Sequence, residues 1–377
     1  MSKIVLPGQT IGIIGGGHMS RMLVLSAKQM GFKVGILDPE ADCAASSVAD
    51  WQVVASINDA QALVELSERS DVLTYEYENV NTKAMEFLEE QVYLPQGIFG
   101  LSVTQDRLLE REFLNSLRIN IAPYTTATLV SDIREAAQFV GYPCLVKLNI
   151  RNGQADKVVQ LNGPEEVDKS VPLIQQGVCV VEAYVPLKKE LFMAVGLNRN
   201  GDYSLFPIVE TYHDDTGALR KVKAPIVIND LPDVIVNQIH IVAKAIASEL
   251  NVSGIVGIEF FLTEDNNLYV NEISTRPHEI GLYTMNACNF SEYDVHVRGI
   301  CNWPIPKIKQ HEPAITFNVT ADNEERVLAL VSSKRNWHYH NYEVTGESNE
   351  TRGHVTILSE NIEEKIQELK HIKIIKN

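Results

Sequence analysis

The first 75 residues alternate short apolar runs with amphipathic segments, and this order constrains the fold more than any other feature. Residues 10–17, Lys33–Asp38 and 71–75 have the composition of strands, whereas residues 21–30 and 61–68 have helical periodicity. A βαβαβ order predicts a parallel sheet with crossover helices. The chain therefore begins with an α/β unit.

Changes in composition along the chain predict two domain boundaries. The first unit ends near Leu117, and the proline-rich stretch WPIPKIKQHEP begins near Pro304. A chain of 377 residues is longer than one ordinary core, so several packed units are expected. We predict an N-terminal Rossmann-like domain over 1–117, a central domain over 118–304 and a small C-terminal domain over 305–377.

Charge and composition exclude several classes of partner. Lys and Arg number 33 against 49 Asp and Glu, with no basic stripe, so long-range repulsion disfavours nucleic acid. No apolar run reaches the roughly 20 residues that a bilayer helix needs, and the start of the chain lacks a cleavable signal pattern. The five scattered cysteines form no C-x-x-C pair. This pattern is typical of reduced thiols and predicts a cytoplasmic protein without a membrane partner.

A glycine turn joins the first predicted strand to the first predicted helix. Residues 15–20 read GGGHMS, which approaches the G-x-G-x-x-G pattern but lacks its third glycine. Asp38 ends the next strand, where a dinucleotide enzyme holds a ribose. Three interpretations stay open for this segment: a dinucleotide site, a phosphorylated substrate on the backbone amides, and tight packing of the turn.

The most informative segment is GIVGIEFFLTEDNNLYVNEISTRPHEIG. Glu259 lies in one predicted strand and Glu272 ends the next, so antiparallel pairing would place both carboxylates on one face. Such a pair repels unless a divalent cation lies between its members, and Mg²⁺ takes a few carboxylates plus phosphate oxygens. Asn271 adds a neutral oxygen, and Arg276 and His278 follow where they could hold an anion. The alternative is a surface hairpin with incidental acids.

Upstream residues suggest a nucleotide. Lys147 lies in the apolar strand CLVKL, and a lysine in that setting needs an anionic partner such as a phosphate. Glu182 to Val185 follow the strand CVV as a hinge whose backbone could bond an adenine edge, and Glu190 could take ribose hydroxyls. Each of these residues alone is more often a solvated surface residue than part of a binding site. The hypothesis of a nucleotide site therefore depends on their order along the chain.

These segments together resemble the N5-carboxyaminoimidazole ribonucleotide synthetase family of ATP-grasp enzymes. GIIGGGHMSRM resembles GGGQLGRM of that family, DVLTYEYENV resembles DVVTYEFENV, and QDRLLEREFL resembles QDRL.EK.FL. GYPCLVK, VVEAYVPLKKEL, NEISTRPH and the closing WHYHNYEVTGESNETRGHVTIL match further segments in order. The resemblance implies an α/β ATP-grasp fold with an N-terminal Rossmann-like parallel-sheet domain, a lid subdomain over about 119–190 and a small C-terminal domain.

The resemblance also implies a reaction and its residues. Mg-ATP, bicarbonate and 5-aminoimidazole ribonucleotide would react through carboxyphosphate, in a homodimer. The nucleotide would contact Arg107, Lys147, Glu182, Ala183, Tyr184, Val185, Glu190, His213, Asn271 and Glu272. Magnesium would lie between Glu259 and Glu272. The acceptor ribonucleotide would contact Gly15, Gly16, Gly17, His18, Glu76 and Glu78. The catalytic residues would be Arg276, His278 and Lys147.

The chain departs from the family pattern at three places. The glycine-rich lid K-T-R-x-G-G-Y-D-G-K-G-Q is here KLNIRNGQADKV, which wraps phosphates less readily. R-P-H-N-S-G-H has Glu279 and Leu282 in place of Asn and His, and GGGQLG becomes GGGHMS. Three hypotheses follow: the family reaction, an ATP-grasp ligase with a different acceptor or acid, and a nucleotide-binding relative without catalysis.

Overall fold

The N-terminal unit is built on a four-stranded parallel sheet. The computed structural model describes residues 3–151, 158–213, 219–225, 231–343 and 351–375. The strands are β1 (Thr10–Ile14), β2 (Lys33–Asp38), β3 (Trp51–Val54) and β4 (Val72–Tyr75), in the order β3-β2-β1-β4. The helices are α1 (His18–Gln29), α2 (Ala60–Glu68), α3 (Thr82–Glu89), α4 (Phe99–Gln105) and α5 (Arg107–Ser116). All neighbours pair in parallel, as the alternating pattern predicts, and β3 is an edge strand that the pattern did not predict.

A second, antiparallel sheet follows. Its elements are β5 (Tyr124–Ala127), α6 (Val130–Val140), β6 (Cys144–Leu148), β7 (Val158–Leu161), α7 (Val171–Ile174) and β8 (Cys179–Ala183). The strand order is β5-β8-β6-β7, so β6 is central and its Lys147 is held between neighbouring strands. Helix α6 covers one face with Ile133, Ala136 and Ala137, which leaves the other face for a partner layer.

Within the described residues, the remaining strands form one nine-stranded sheet. The elements are β9 (Leu187–Leu197), β10 (Tyr203–Leu205), β11 (Val209–His213), β12 (Leu219–Ala224), α8 (Asp233–Leu250), β13 (Gly254–Thr263), β14 (Leu268–Ser274), α9 (Thr284–Ala287), α10 (Glu292–Ile300), β15 (Ala314–Val319), α11 (Glu324–Val331), β16 (Trp337–Asn341), β17 (Gly353–Leu358) and α12 (Ile362–His371). The order is β14-β13-β9-β11-β12-β15-β17-β16, with β10 beside β9.

Two details of this sheet differ from the sequence pattern. Residues 203–209, which read as one strand, are divided between β10 and the start of β11, since Pro207 lies between them and cannot donate to a ladder. Strand β15 pairs with β12, so the strands after residue 304 continue the central sheet. The division into three domains stays a prediction.

Helix α8 supports the centre of the nine-stranded sheet. Its Ile235, Ile239, Ala243 and Ile246 are buried at helical spacing and belong to the core that includes β9 and β13. The long strands β9 and β13 pair over ten residues, which holds the centre of the sheet in one register. In the described part of the chain, no helix has the length and apolarity needed to cross a membrane.

Candidate functional site

Two glutamates face each other across the β13–β14 hairpin. Glu259 is the ladder partner of Glu272, and the register then shifts so that Phe260 pairs with Val270. Asn271 is therefore the extra residue of a bulge, a feature that re-aims side chains. Its Nδ2 donates to Oε2 of Glu259 at 3.1 Å. The predicted cluster is thus assembled by a local irregularity of the ladder that the sequence alone did not reveal.

The two carboxylates have opposite electrostatic surroundings. Burial, and then the charge of Glu272, raises the pKa of Glu259. Burial alone would raise the pKa of Glu272 as well, but the cations around it, first Arg151, hold that pKa well below its usual range. Nη2 of Arg151 lies 3.3 Å from Oε2 of Glu272.

The residues present fit a magnesium ion whose remaining ligands are phosphate oxygens. Among the described residues, no group of three or more His, Cys, Asp and Glu side chains converges as a self-contained metal site. Glu259 and Glu272 supply two carboxylates on one face. Mg²⁺ is commonly held by one or two carboxylates plus substrate phosphates, so this incomplete set suits it.

A chain of buried ion pairs runs beneath the hairpin. Nζ of Lys147 lies 2.8 Å from Glu182, and Nη2 of Arg111 lies 2.8 Å from the other oxygen of that carboxylate. Arg111 also reaches Glu110 at 3.2 Å, and Glu110 accepts the backbone N–H of Ile273 at 2.8 Å. Opposite charges beside it hold the pKa of Glu182 far below its usual range although burial opposes this. The β6 lysine is thereby linked to β14.

Sequence reasoning missed Glu110, Arg111 and Arg151. A signal for the first two existed in the segment QDRLLEREFL. Arg107, Glu110, Arg111 and Leu114 are the buried residues of α5, at the i, i+3, i+4, i+7 spacing of a core-facing stripe. Charges at core positions need buried partners, and that requirement points to a site. Arg151 carries no such signal, because its partners come from elsewhere in the fold.

A cavity opens beside Lys147 and the predicted hinge. Its lining consists of Arg111, Ala122, Leu145, Lys147, Glu182, Ala183, Tyr184, Val185, Leu187, Phe261, Tyr269, Val270 and Asn271. The amides of Ala183 and Tyr184 donate to the carbonyls of Pro123 and Pro143. The amide of Val185 makes no such bond within the described ranges. An apolar slot with a few polar groups is typical of a base-binding pocket.

The other predicted nucleotide residues lie on adjoining elements. Nδ1 of His213 is 2.5 Å from Oε2 of Glu190, which joins β11 to β9. Burial alone would lower the pKa of His213, but its bond to Glu190 raises it. Arg107 is buried at the start of α5, and its Nε donates to the carbonyl of Leu148 at the end of β6.

The glycine turn packs against its own domain. The amide of Gly16 donates to Oδ2 of Asp38 at 2.8 Å, so that carboxylate holds the turn closed. Gly15 has φ +111°, and a Cβ there would lie 2.6 Å from the ring of Tyr77 and 2.9 Å from Oε2 of Glu76. Only glycine allows this approach. The glycine turn therefore contacts Glu76, one of the residues predicted for the acceptor pocket. Asp38 instead accepts a hydrogen bond from the backbone of the turn.

Carboxylates dominate this pocket. Burial raises the pKa of Glu76 to about 7, and burial also raises the pKa of Glu78, which lies 3.7 Å from Nε of Arg276. Nε2 of His18 is 3.9 Å from Glu279, and its ring stacks on that of Tyr342 at 4.8 Å. Of the residues predicted for the acceptor, Glu78 thus lies beside Arg276, and His18 lies beside Glu279 and Tyr342.

His278 connects the acceptor pocket with the carboxylate pair. Its Nδ1 accepts the amide N–H of Ile280 at 3.2 Å, which assigns the ring proton to Nε2. Nε2 lies 3.9 Å from Oε1 of Glu259. Burial, and then the charge of Arg276, lowers the pKa of His278 to about 3, so the ring is a neutral donor at pH 7. Of the predicted lid, residues 152–157 lie outside the described ranges.

Comparison with known proteins agrees with this geometry. Two family models match: a ribonucleotide synthetase preATP-grasp domain over residues 8–105 and an ATP-grasp domain over residues 112–293. The N5-carboxyaminoimidazole ribonucleotide synthase of Bacillus subtilis is 33% identical over 374 residues, which cover 98% of this chain and 97% of that protein.

Solved structures confirm the predicted α/β ATP-grasp fold with its N-terminal parallel-sheet domain. The ADP complex of an N5-carboxyaminoimidazole ribonucleotide synthetase has a TM-score of 0.94 at 34% identity, over 99% of this chain and 98% of the other. The Staphylococcus aureus N5-carboxyaminoimidazole synthetase with ADP has a TM-score of 0.92 at 30% identity, over 98% of both chains.

Proposed function

Since this chain belongs to the N5-carboxyaminoimidazole ribonucleotide synthase family, we propose that it carboxylates 5-aminoimidazole ribonucleotide with bicarbonate and ATP, a step of purine biosynthesis. The chain is an ATP-grasp ligase. One observation carries the proposal: the segment from Asn271 to His278 borders the nucleotide cavity, the carboxylate pair and the glycine-turn pocket. Two substrates held at its two sides would meet there.

The reaction proceeds in two steps. A bicarbonate oxygen attacks the terminal phosphorus of ATP, and the bond to ADP breaks to give carboxyphosphate. The amine of the acceptor then attacks the carbonyl carbon, and phosphate leaves. Phosphoryl transfer depends mainly on positioning and on fixed positive charge, because little covalent chemistry is left to the protein.

The nucleotide occupies the cavity between the two β-layers. Its base lies in the apolar slot with the Val185 amide on its edge, and the ribose hydroxyls reach Glu190 and His213. Lys147 and Arg107 hold the phosphates. A lysine already paired with Glu182 at 2.8 Å is fixed in place before the nucleotide arrives, so binding costs it little side-chain entropy.

Glu259 and Glu272 would hold magnesium, with Asn271 beside them. When bound, the ion neutralises negative charge on the phosphate oxygens. The raised pKa of Glu259 reflects burial and the repulsion of Glu272, which is the situation that a divalent cation relieves.

The acceptor lies against Gly15, Gly16, Gly17 and His18, with Glu76 and Glu78 around its polar groups. Arg276 and His278 line the path between acceptor and phosphate. His278 is neutral with its proton on Nε2, so it donates a hydrogen bond to an oxygen of the intermediate without adding charge. Arg276, held near Glu78, supplies the positive charge instead.

The proposal is tested by ADP formation in a coupled assay. The protein is mixed with MgATP, bicarbonate and 5-aminoimidazole ribonucleotide, and each component is omitted in turn. The proposal requires ADP release that depends on all of them and that is lost in Glu272→Gln. ADP release without any dependence on the ribonucleotide would contradict it.

A second candidate is a ligase of the same family with a different amine acceptor. Glu76, Glu78 and Glu279 surround the acceptor pocket, where Arg276 is the neighbouring cation. A pocket of this charge favours an acceptor that carries less negative charge than a ribonucleotide. In the same assay, ADP release that requires another amine would select this candidate. Nucleotide binding without turnover with any amine would select a catalytically inactive relative.

We also propose a cytoplasmic homodimer. All five cysteines are unpaired and buried, as expected in a reducing compartment. The family resemblance is the basis for two copies. Size-exclusion chromatography with light scattering measures the mass directly, and a single-chain mass of 42.1 kDa would contradict the dimer.

A further inference from the structure

Arg151 lies at the phosphate end of the nucleotide site, four residues after Lys147. Counted from that lysine, it stands where the glycine-rich lid of the family has its first glycine. The amide of Arg151 donates to the carbonyl of Gln105 at 2.9 Å, and Nη1 donates to the carbonyl of Thr104. Both carbonyls belong to the last turn of α4, an end that favours a cation. The backbone and the guanidinium are therefore fixed together.

The guanidinium bridges two buried carboxylates. Nη2 lies 3.0 Å from Oε2 of Glu110 and 3.3 Å from Oε2 of Glu272. With these contacts the ion-pair chain is continuous: Lys147, Glu182, Arg111, Glu110, Arg151 and Glu272 alternate in sign. Arg151 is the member that touches a predicted magnesium ligand.

One donor of this side chain is left over. The Arg151 side chain is 9% exposed, and its Nε has no hydrogen-bond partner within the described ranges. A buried guanidinium N–H without a partner is costly, and a phosphate oxygen is the acceptor that its planar fork matches best. The nucleotide brings such oxygens to this end of the site.

We propose that Arg151 is a built-in cation of this site, which neutralises Glu272 and binds the terminal phosphate of the nucleotide. This inference rests on the proposed function, because it takes the nucleotide to lie between Lys147 and Glu272. The facing carboxylates Glu259 and Glu272 would otherwise depend on a metal ion to offset their negative charge. Arg151 supplies part of that positive charge from the chain itself. Nucleotide binding consequently depends less on divalent cations than it would without this arginine.

The test is the affinity for ADP, measured by titration calorimetry in excess EDTA and in excess MgCl₂. In the wild type the two dissociation constants differ modestly. In Arg151→Ala and in Arg151→Gln, the phosphate meets Glu259 and Glu272 uncompensated, so affinity in EDTA falls at least ~10-fold more than in MgCl₂. Arg151→Lys keeps the charge and restores most of the affinity in EDTA.

A second readout is independent of activity. Mn²⁺ binding to the ADP complex, followed by the free-ion EPR signal, becomes tighter in Arg151→Ala because Glu272 is released to the metal. A merely structural role for Arg151 would lower nucleotide and metal affinity together. Lys147→Met is the comparator: its Nζ contacts Glu182 rather than Glu272, so it weakens ADP binding similarly in both buffers.

The outcomes separate the two proposals. If the wild type binds no ADP in either buffer, the proposed function fails. If ADP binds but the ratio of the two dissociation constants is the same in the wild type and both neutral variants, the nucleotide site stands and the role of Arg151 is wrong. Looser Mn²⁺ binding in Arg151→Ala would also overturn it.

Discussion

The nucleotide half and the acceptor half of the site are balanced in opposite ways. Around the nucleotide cavity most buried acids touch a cation, as Glu182 does with Lys147 and Arg111, and Glu259, beside the neutral His278, is the exception. Around the glycine turn the acids outnumber the cations, and burial raises the pKa values of Glu76 and Glu78. Apart from Glu259, the first half is charge-paired before any ligand arrives, whereas the second leaves charge to be compensated by its ligand.

This difference indicates where stability and specificity are located. A fully paired network is strongly destabilised by loss of one member, so the nucleotide half tolerates little change. Unpaired buried carboxylates destabilise the free protein and favour a ligand that donates to them. The departures from the family pattern at His18 and Glu279 lie beside each other on the acceptor side, whereas Leu282 is fully buried in the core that packs against α1.

Arg111→Ala is expected to have the largest effect. It leaves Glu110 and Glu182 without their shared partner inside the protein, and breaking a buried ion pair costs about 3–5 kcal/mol. The thermal midpoint measured by scanning fluorimetry should fall accordingly. Lys169→Ala is the control, because its pair with Glu166 is on the surface, where solvent screens the interaction. Equal falls of the thermal midpoint in the two variants would contradict the claim that the buried ion pairs stabilise the protein more than the surface pairs do.

Glu76→Gln should stabilise the protein at alkaline pH. Burial raises the pKa of Glu76 from 4.5 to about 7, so the folded state keeps a proton that the unfolded state has lost between these values. Stability therefore falls as pH rises through this window and stays low above it. The substitution removes this loss, which amounts to about 3 kcal/mol at most. The thermal midpoints of the two proteins should converge at acid pH, separate between pH 4.5 and about 7, and stay apart above pH 7.

Glu292→Gln provides a matched comparison for this experiment. Glu292 is fully buried in α10 and burial raises its pKa to about 8, but it packs on Gly281 rather than on the glycine turn. Both variants should gain stability at high pH. We expect Glu76→Gln alone to change the affinity for the acceptor, and a similar change in Glu292→Gln would contradict the assignment of the pocket.

Lys147→Met tests the nucleotide half through binding. The variant keeps the length of the side chain and removes a charge that holds phosphate, and bonds to charged groups contribute about 1.5–3 kcal/mol. The dissociation constant for ADP, measured by calorimetry, should rise by about 10- to 100-fold. Asp156→Ala, in the lid segment, should weaken binding far less. Comparable losses in the two variants would contradict the placement of Lys147 on the phosphates.

Much of the fold could be predicted because its signals are local. The alternation before residue 75 is sufficient for the parallel sheet, and the hairpin carboxylates follow from strand periodicity. The bulge at Asn271 and the pairing of β15 with β12 could not be predicted, since both depend on ladder register between strands. Arg151 was missed because its contacts with Glu110 and Glu272 join segments distant in sequence. The buried charged residues of α5, by contrast, have a local signal in the sequence, because they recur at helical spacing.

Glu190→Gln should have the smallest effect. Glu190 and His213 are roughly one-quarter exposed, and a pair in such a setting contributes about 1 kcal/mol at most. If Glu190 takes ribose hydroxyls, affinity for ADP falls a few-fold while affinity for inorganic pyrophosphate, which lacks a ribose, stays constant. Glu264→Gln on the exposed β13–β14 turn is the control and should change neither. A loss shared by both ligands would contradict the ribose assignment, because a contact confined to the ribose cannot weaken the binding of pyrophosphate.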